Sequence, residues 1–136
     1  SMNEKTSANF AAYLRISRDM ERIGDHSKNI AEVAKLKYDE KLEFTDMTFE
    51  ELREINTIIE KMFHSAIDSL DKDERVVFMR ESNELVQKEA SNFRNNHMLR
   101  MREKICNPES GLLYEKTLAA MERISSYISN ASKLAI

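Results

Sequence analysis

Only two glycines and one proline interrupt 136 residues. Sandwiches, barrels and doubly wound sheets need many tight turns, and those turns draw on glycine for positive φ and on proline for a fixed one. A chain this poor in both reads as all-helical. At this length one domain can bury a core without a disulfide or a metal staple. Lys and Arg number 21 against 24 Asp and Glu, and the net charge of −3 is spread along the chain. No basic stripe recommends nucleic acid as a partner. Cys106 is the single cysteine, which excludes an intramolecular disulfide and fits a reducing compartment. No apolar run approaches the roughly 20 residues that cross a bilayer, and the opening residues lack the pattern of a signal peptide. Ser1 ahead of Met2 reads as a remnant of expression cloning.

The hydrophobic period sets out four helices. The first, about residues 6–38, carries Tyr13, Ile16, Met20, Ile23, Ser27, Ile30, Ala31 and Ala34 in one broad stripe. Thr48 with Glu51 three residues on has the capping-box pattern and opens a second helix, about 48–71, through Leu52, Ile55, Ile59, Met62, Phe63, Ala66 and Leu70. A third, about 73–105, brings Phe78, Leu85, Val86, Ala90, Phe93, His97 and Met101 to one side and ends at Asn107-Pro108. The fourth, about 109–135, has Leu113, Leu118, Met121, Ile124, Ile128, Ala131 and Ala135 as its stripe. Short connections make neighbours antiparallel, so the expected fold is an up-down four-helix bundle.

Met20-Glu21-Arg22-Ile23 recurs as Met121-Glu122-Arg123-Ile124, and an asparagine, Asn29 or Asn130, stands seven residues after each arginine. Identical residues in the same phase of two amphipathic helices point to duplication. The second copy is preceded by two helices and the first by none, so two further helices are expected ahead of Asn3. Phe10 and Leu14 would be the surface those helices cover.

Glu21 and Asp25, spaced i, i+4, bring two carboxylates to one flank of the first helix. Such a pair is half of a metal site when other helices supply the rest, and it equally suits a solvated helix face. Gly24, mid-helix, costs about 1 kcal/mol against alanine and points to a close helix approach. No His-x-x-x-His or Glu-x-x-His pair links the three histidines. His97 reads as a hydrogen-bonded core-edge residue, with an anion or partner contact through Arg94, His97 and Arg100 as the sharper alternative. There is no glycine-rich phosphate loop, no Gly-x-Ser-x-Gly and no catalytic partner pattern for Cys106, so no enzymatic activity is expected.

The run Asp19-Met20-Glu21-Arg22-Ile23-Gly24-Asp25-His26-Ser27-Lys28-Asn29-Ile30-Ala31-Glu32 resembles the signature of the PhoU family of phosphate-uptake regulators. Phe93 to Met101, Cys106, and Ser110-Gly111-Leu112-Leu113 resemble the second half of the PhoU-like domain that follows the membrane part of bacterial sodium/phosphate cotransporters. The resemblance implies repeated three-helix units, here short of two N-terminal helices, and a place on the cytoplasmic face of the cell membrane. It also implies a divalent or iron-type metal at Glu21 and Asp25, with Glu122 a weaker third ligand. The second motif has Ser126 where the family has Asp, and Asn83 and Gln87 are amides where the family often carries an acidic pair. The expected function is a regulatory or interaction domain of a sodium-dependent phosphate transporter. The alternatives are a freestanding regulator of phosphate uptake and, from another class, a metal-binding helical protein. The expected partners are the transporter portion of the same polypeptide and a second copy of this chain.

Overall fold

The computed structural model describes residues 2–68 and 71–134. They form four helices and no strand: α1 Met2–Asp39, α2 Asp46–Ile67, α3 Lys72–Arg102 and α4 Pro108–Leu134. Leu70 and Ala135 of the expected stripes lie outside the described residues. The bounds follow from local chemistry. Asp71 accepts from the amides of Asp73 and Glu74 at the head of α3, and Pro108 starts α4, where its missing N–H has no partner to lose. The head of α2 corrects the expected capping box. Thr45 is the cap, accepting from the Thr48 amide at 3.2 Å. Thr48 and Glu51 are buried instead.

Three of the helices form a closed unit around Ile55, Met62, Met79, Val86, Tyr114, Leu118 and Ile128. In α3 the core takes Met79 in place of the expected Phe78 and Leu85, which are exposed. Phe63, expected in the stripe of α2, also stays at the surface. Within this unit α3 runs antiparallel to both neighbours, with Arg100 beside Glu51 and Asn83 beside Ser125.

Helix α1 packs along α4, and among the described residues its backbone approaches neither α2 nor α3. Ile16, Ile23 and Ile30 of its stripe turn toward α4, and Asp19 and Val33 are buried with them. The remainder of the broad stripe stays in the open: Tyr13 is 61% and Met20 63% exposed. Phe10 and Leu14 are also exposed.

The pairing of α1 with α4 gives the sequence echo a geometric meaning. Arg22 and Asn130 line one cleft, while Arg123 and Asn29 line another. These are the two arginines and two asparagines of the echo, exchanged. At the centre His26 stacks on Tyr127, centroids 5.8 Å apart and planes 18° from parallel, and these residues too hold equivalent places in the two copies. The helices are thus related by a local two-fold axis, and each presents the same face to the other.

Candidate functional site

The signature flank lies on α1. Glu21 and Asp25 are exposed there, with no ion pair among the described residues. Arg22, on the adjacent side, holds its guanidinium 5.4 Å from the Tyr127 ring centroid, a cation–π contact that fixes it against α4. Among the described residues no three His, Cys, Asp or Glu side chains converge as a set able to hold a metal ion. A cation at Glu21 and Asp25 would therefore take its other ligands from water or from whatever covers α1.

The equivalent flank of α4 has a different chemistry. Glu122 accepts from the Arg94 guanidinium, whose Nε also bonds Glu115 at 2.7 Å. These hydrogen bonds, Glu122's foremost, hold Arg94 charged well beyond its ordinary range. Gln87 Nε2 donates to the Glu122 carbonyl at 3.0 Å and faces Ser126 Oγ at 3.2 Å. Asn83 Oδ1 accepts from Gln87 and from the Ser125 hydroxyl. The two amides matched by resemblance thus do meet Glu122 and Ser126 in one place. That donor set does not fit a cation. A guanidinium already neutralises the carboxylate, and amide N–H groups point where ligand oxygens would be needed.

Arg94, His97 and Arg100 do not share an anion site. Arg94 belongs to the network just described, and Arg100 to a buried cluster that the sequence did not disclose. Arg100 and Glu51, each 6% exposed, form an ion pair at 2.5 Å. The Tyr114 hydroxyl donates to the same Glu51 oxygen at 2.9 Å, and Asn96 reaches the other oxygen at 3.3 Å. Burial and the bond to Glu51 push the Tyr114 hydroxyl far up, so it stays protonated. The signal was present in Glu51, but its place three residues after Thr48 also suits a cap.

His97 sits at the edge of this cluster. Its ring meets Tyr114 edge-on, centroids 5.1 Å apart, its Nδ1 lies 3.5 Å from Cys106 Sγ, and its Nε2 is buried without a partner among the described residues. Beside it opens a cavity of about 420 Å³ between the α1–α2 and α3–α4 loops, walled by Thr45, Thr48, Ser110 and Cys106 among others. Burial lowers the His97 pKa, and the Arg100 charge lowers it further. An unfolded imidazole titrates near ~6.5. Below that pH the unfolded chain takes up a proton that folded His97 refuses, so stability falls as pH drops from about 6.5 toward the lowered folded value. Above it His97 contributes no slope. Urea midpoints at pH 7.5 and 5.5 should show the fall, and His97→Gln should remove that share of it.

Four helices, one of them laid along a closed three-helix unit, define an all-α bundle. Residues 1–34, which take in the first part of α1 and the whole of the signature run, match the family model described as PhoU domain. That match supports the PhoU family for the segment bearing Glu21 and Asp25. No curated protein and no solved structure matches the chain.

Proposed function

We propose that the chain is a non-catalytic interaction domain that regulates sodium-dependent phosphate transport from the cytoplasmic face of a membrane. The observation that carries the reading is the PhoU match over residues 1–34, on a helix whose signature carboxylates and apolar flank stand free. A domain that signals by contact needs such a surface. No helix among the described residues is long and apolar enough to cross a membrane, so transport itself would be the work of another part of the polypeptide.

Sodium-driven phosphate uptake by the polypeptide carrying this domain, measured in phosphate-replete and phosphate-starved cells, tests the proposal. Tyr13→Glu and Met20→Glu should change the ratio between the two conditions while leaving sodium-driven uptake in place. An unchanged ratio would sink the proposal. If no membrane-spanning polypeptide carries the domain, the freestanding regulator replaces it.

For the metal, elemental analysis of the wild-type chain beside Glu21→Ala/Asp25→Ala should find less than one equivalent, lost in the double variant. Stoichiometric iron or manganese would favour the metal-binding alternative.

A further inference from the structure

The local two-fold that relates α1 to α4 gives their groove two equivalent clefts. One, of about 360 Å³, is lined by Arg15, Arg18, Asp19 and Arg22 of α1 and by Asn130 and Lys133 of α4. In the other the same places are held by Lys116, Ala119, Ala120 and Arg123 of α4 and by Asn29 and Glu32 of α1. The two share a shape but not a charge: Lys and Arg outnumber carboxylates four to one in the first and two to one in the second. Arginines at i, i+3 and i, i+4 repel one another along a helix, and Arg15, Arg18 and Lys133 have no ion pair among the described residues. Asp19 is 8% exposed, yet it too has neither hydrogen bond nor ion pair there. A buried carboxylate without a partner is costly, and its equivalent Ala120 packs as well without one, 4% exposed. Lys116, Ala119 and Arg123 stay exposed beside α2 and α3, so helices laid on the bare face of α1 in the same way would leave the basic cleft open.

We infer that this cleft binds inorganic phosphate in its monohydrogen form, with Asp19 as the acceptor for the ligand's hydroxyl. Guanidinium groups match phosphate oxygens with paired N–H donors. Arg22 is already held against Tyr127, a contact that leaves its N–H groups to donate elsewhere. Arg15 and Arg22 are set about 10 Å apart along the helix, a span their long side chains close onto one tetrahedral oxyanion, and Lys133 and Asn130 approach it from α4. Donors alone would take any oxyanion, and the carboxylate among them decides between candidates. Monohydrogen phosphate offers Asp19 a hydroxyl, whereas sulfate offers only lone pairs. A phosphate monoester, with a second pKa near ~6, has largely lost that proton at neutral pH, while inorganic phosphate keeps one. A site built to hydrogen-bond a ligand hydroxyl rejects the analogue that lacks it, because its own polar group is then left unpaired. Phosphate thus answers the crowded arginines and the unpartnered carboxylate together.

The inference stands apart from the reading as a transport regulator, since the chain and phosphate alone test it. Calorimetric titration of the 136-residue chain with sodium phosphate at pH 7, in a chloride background, should show a single site that binds at least tenfold tighter than sulfate or glycerol 3-phosphate. Asp19→Asn should abolish that preference, because an amide can donate to sulfate oxygens. Arg18→Ala/Lys133→Glu gives this cleft the residues its two-fold mate carries at those places. It should weaken phosphate binding at least tenfold with helical circular dichroism unchanged, while Arg123→Ala, in the mate, should leave binding intact. Phosphate and sulfate bound alike by the wild-type chain would overturn the inference and leave a general basic patch. Phosphate binding indifferent to the double variant would overturn it as well. So would a chain that ignores phosphate, and affinity of that chain for phosphatidylglycerol vesicles would give the cleft to a membrane surface instead.

Discussion

Glu51→Ala will lower the unfolding free energy by about 3–5 kcal/mol, because it leaves a guanidinium buried without its counter-charge. Arg100 is 6% exposed, with Glu51 as its carboxylate partner, and the Tyr114 hydroxyl loses its acceptor in the same step. Natural domains have only about 5–15 kcal/mol in hand, so the urea midpoint should fall by a large fraction at unchanged slope. The pair itself adds little net stability, since desolvating two charges offsets most of their attraction. Glu51→Leu, Arg100→Met and Tyr114→Phe together should therefore recover most of the loss. A triple variant as unstable as Glu51→Ala would mean that the cluster is needed for its shape as well as its charge balance.

Gly111→Ala is the second large effect, and its sign is the point of interest. Helix propensity favours alanine by about 1 kcal/mol, and a substitution judged from sequence alone would stabilise α4. In the structure the new Cβ would stand 2.5 Å from His97 Nε2 and 3.0 Å from Met101 Sδ. Tyr114 flanks the imidazole on one side and Cys106 on another, so making room for the Cβ means giving up those contacts by shifting toward the adjoining cavity. Overpacking of this kind costs about 1–3 kcal/mol, more than the propensity returns, so the melting temperature should drop. Removing the ring should reverse the effect. In a His97→Ala background Gly111→Ala should be neutral or stabilising, and a double-mutant cycle would report the difference as coupling between the two residues.

The two glycines show how far local reading reaches. Gly24 interrupts a long helix and so reads in sequence as a close approach, yet among the described residues nothing comes within 4 Å of where its Cβ would stand. Gly111, near the start of α4, gave no such signal and is pressed against a buried histidine. A glycine's cost is local and visible in sequence, whereas the neighbour that requires it is supplied from elsewhere in the chain. The charged residues follow the same logic. Glu51 and Arg100 are separated by most of α2 and α3, and no spacing rule joins them. Glu21 and Asp25 were legible as a pair because one turn of helix sets their distance.

Sequence alone determined that this chain is helical, where its four helices run to within a few residues, and that α1 and α4 are copies of one pattern. Period, caps and proline act over a turn or two of backbone and need no partner to be read. Only the tertiary structure decided which side of α1 meets α4, leaving Tyr13, Met20 and Gly24 bare, and which cations answer Glu51, Glu115 and Glu122. Those outcomes depend on groups brought together from distant stretches of the chain. A broad apolar stripe states how much surface a helix has to bury, and the arrangement of its neighbours decides which part of it is buried.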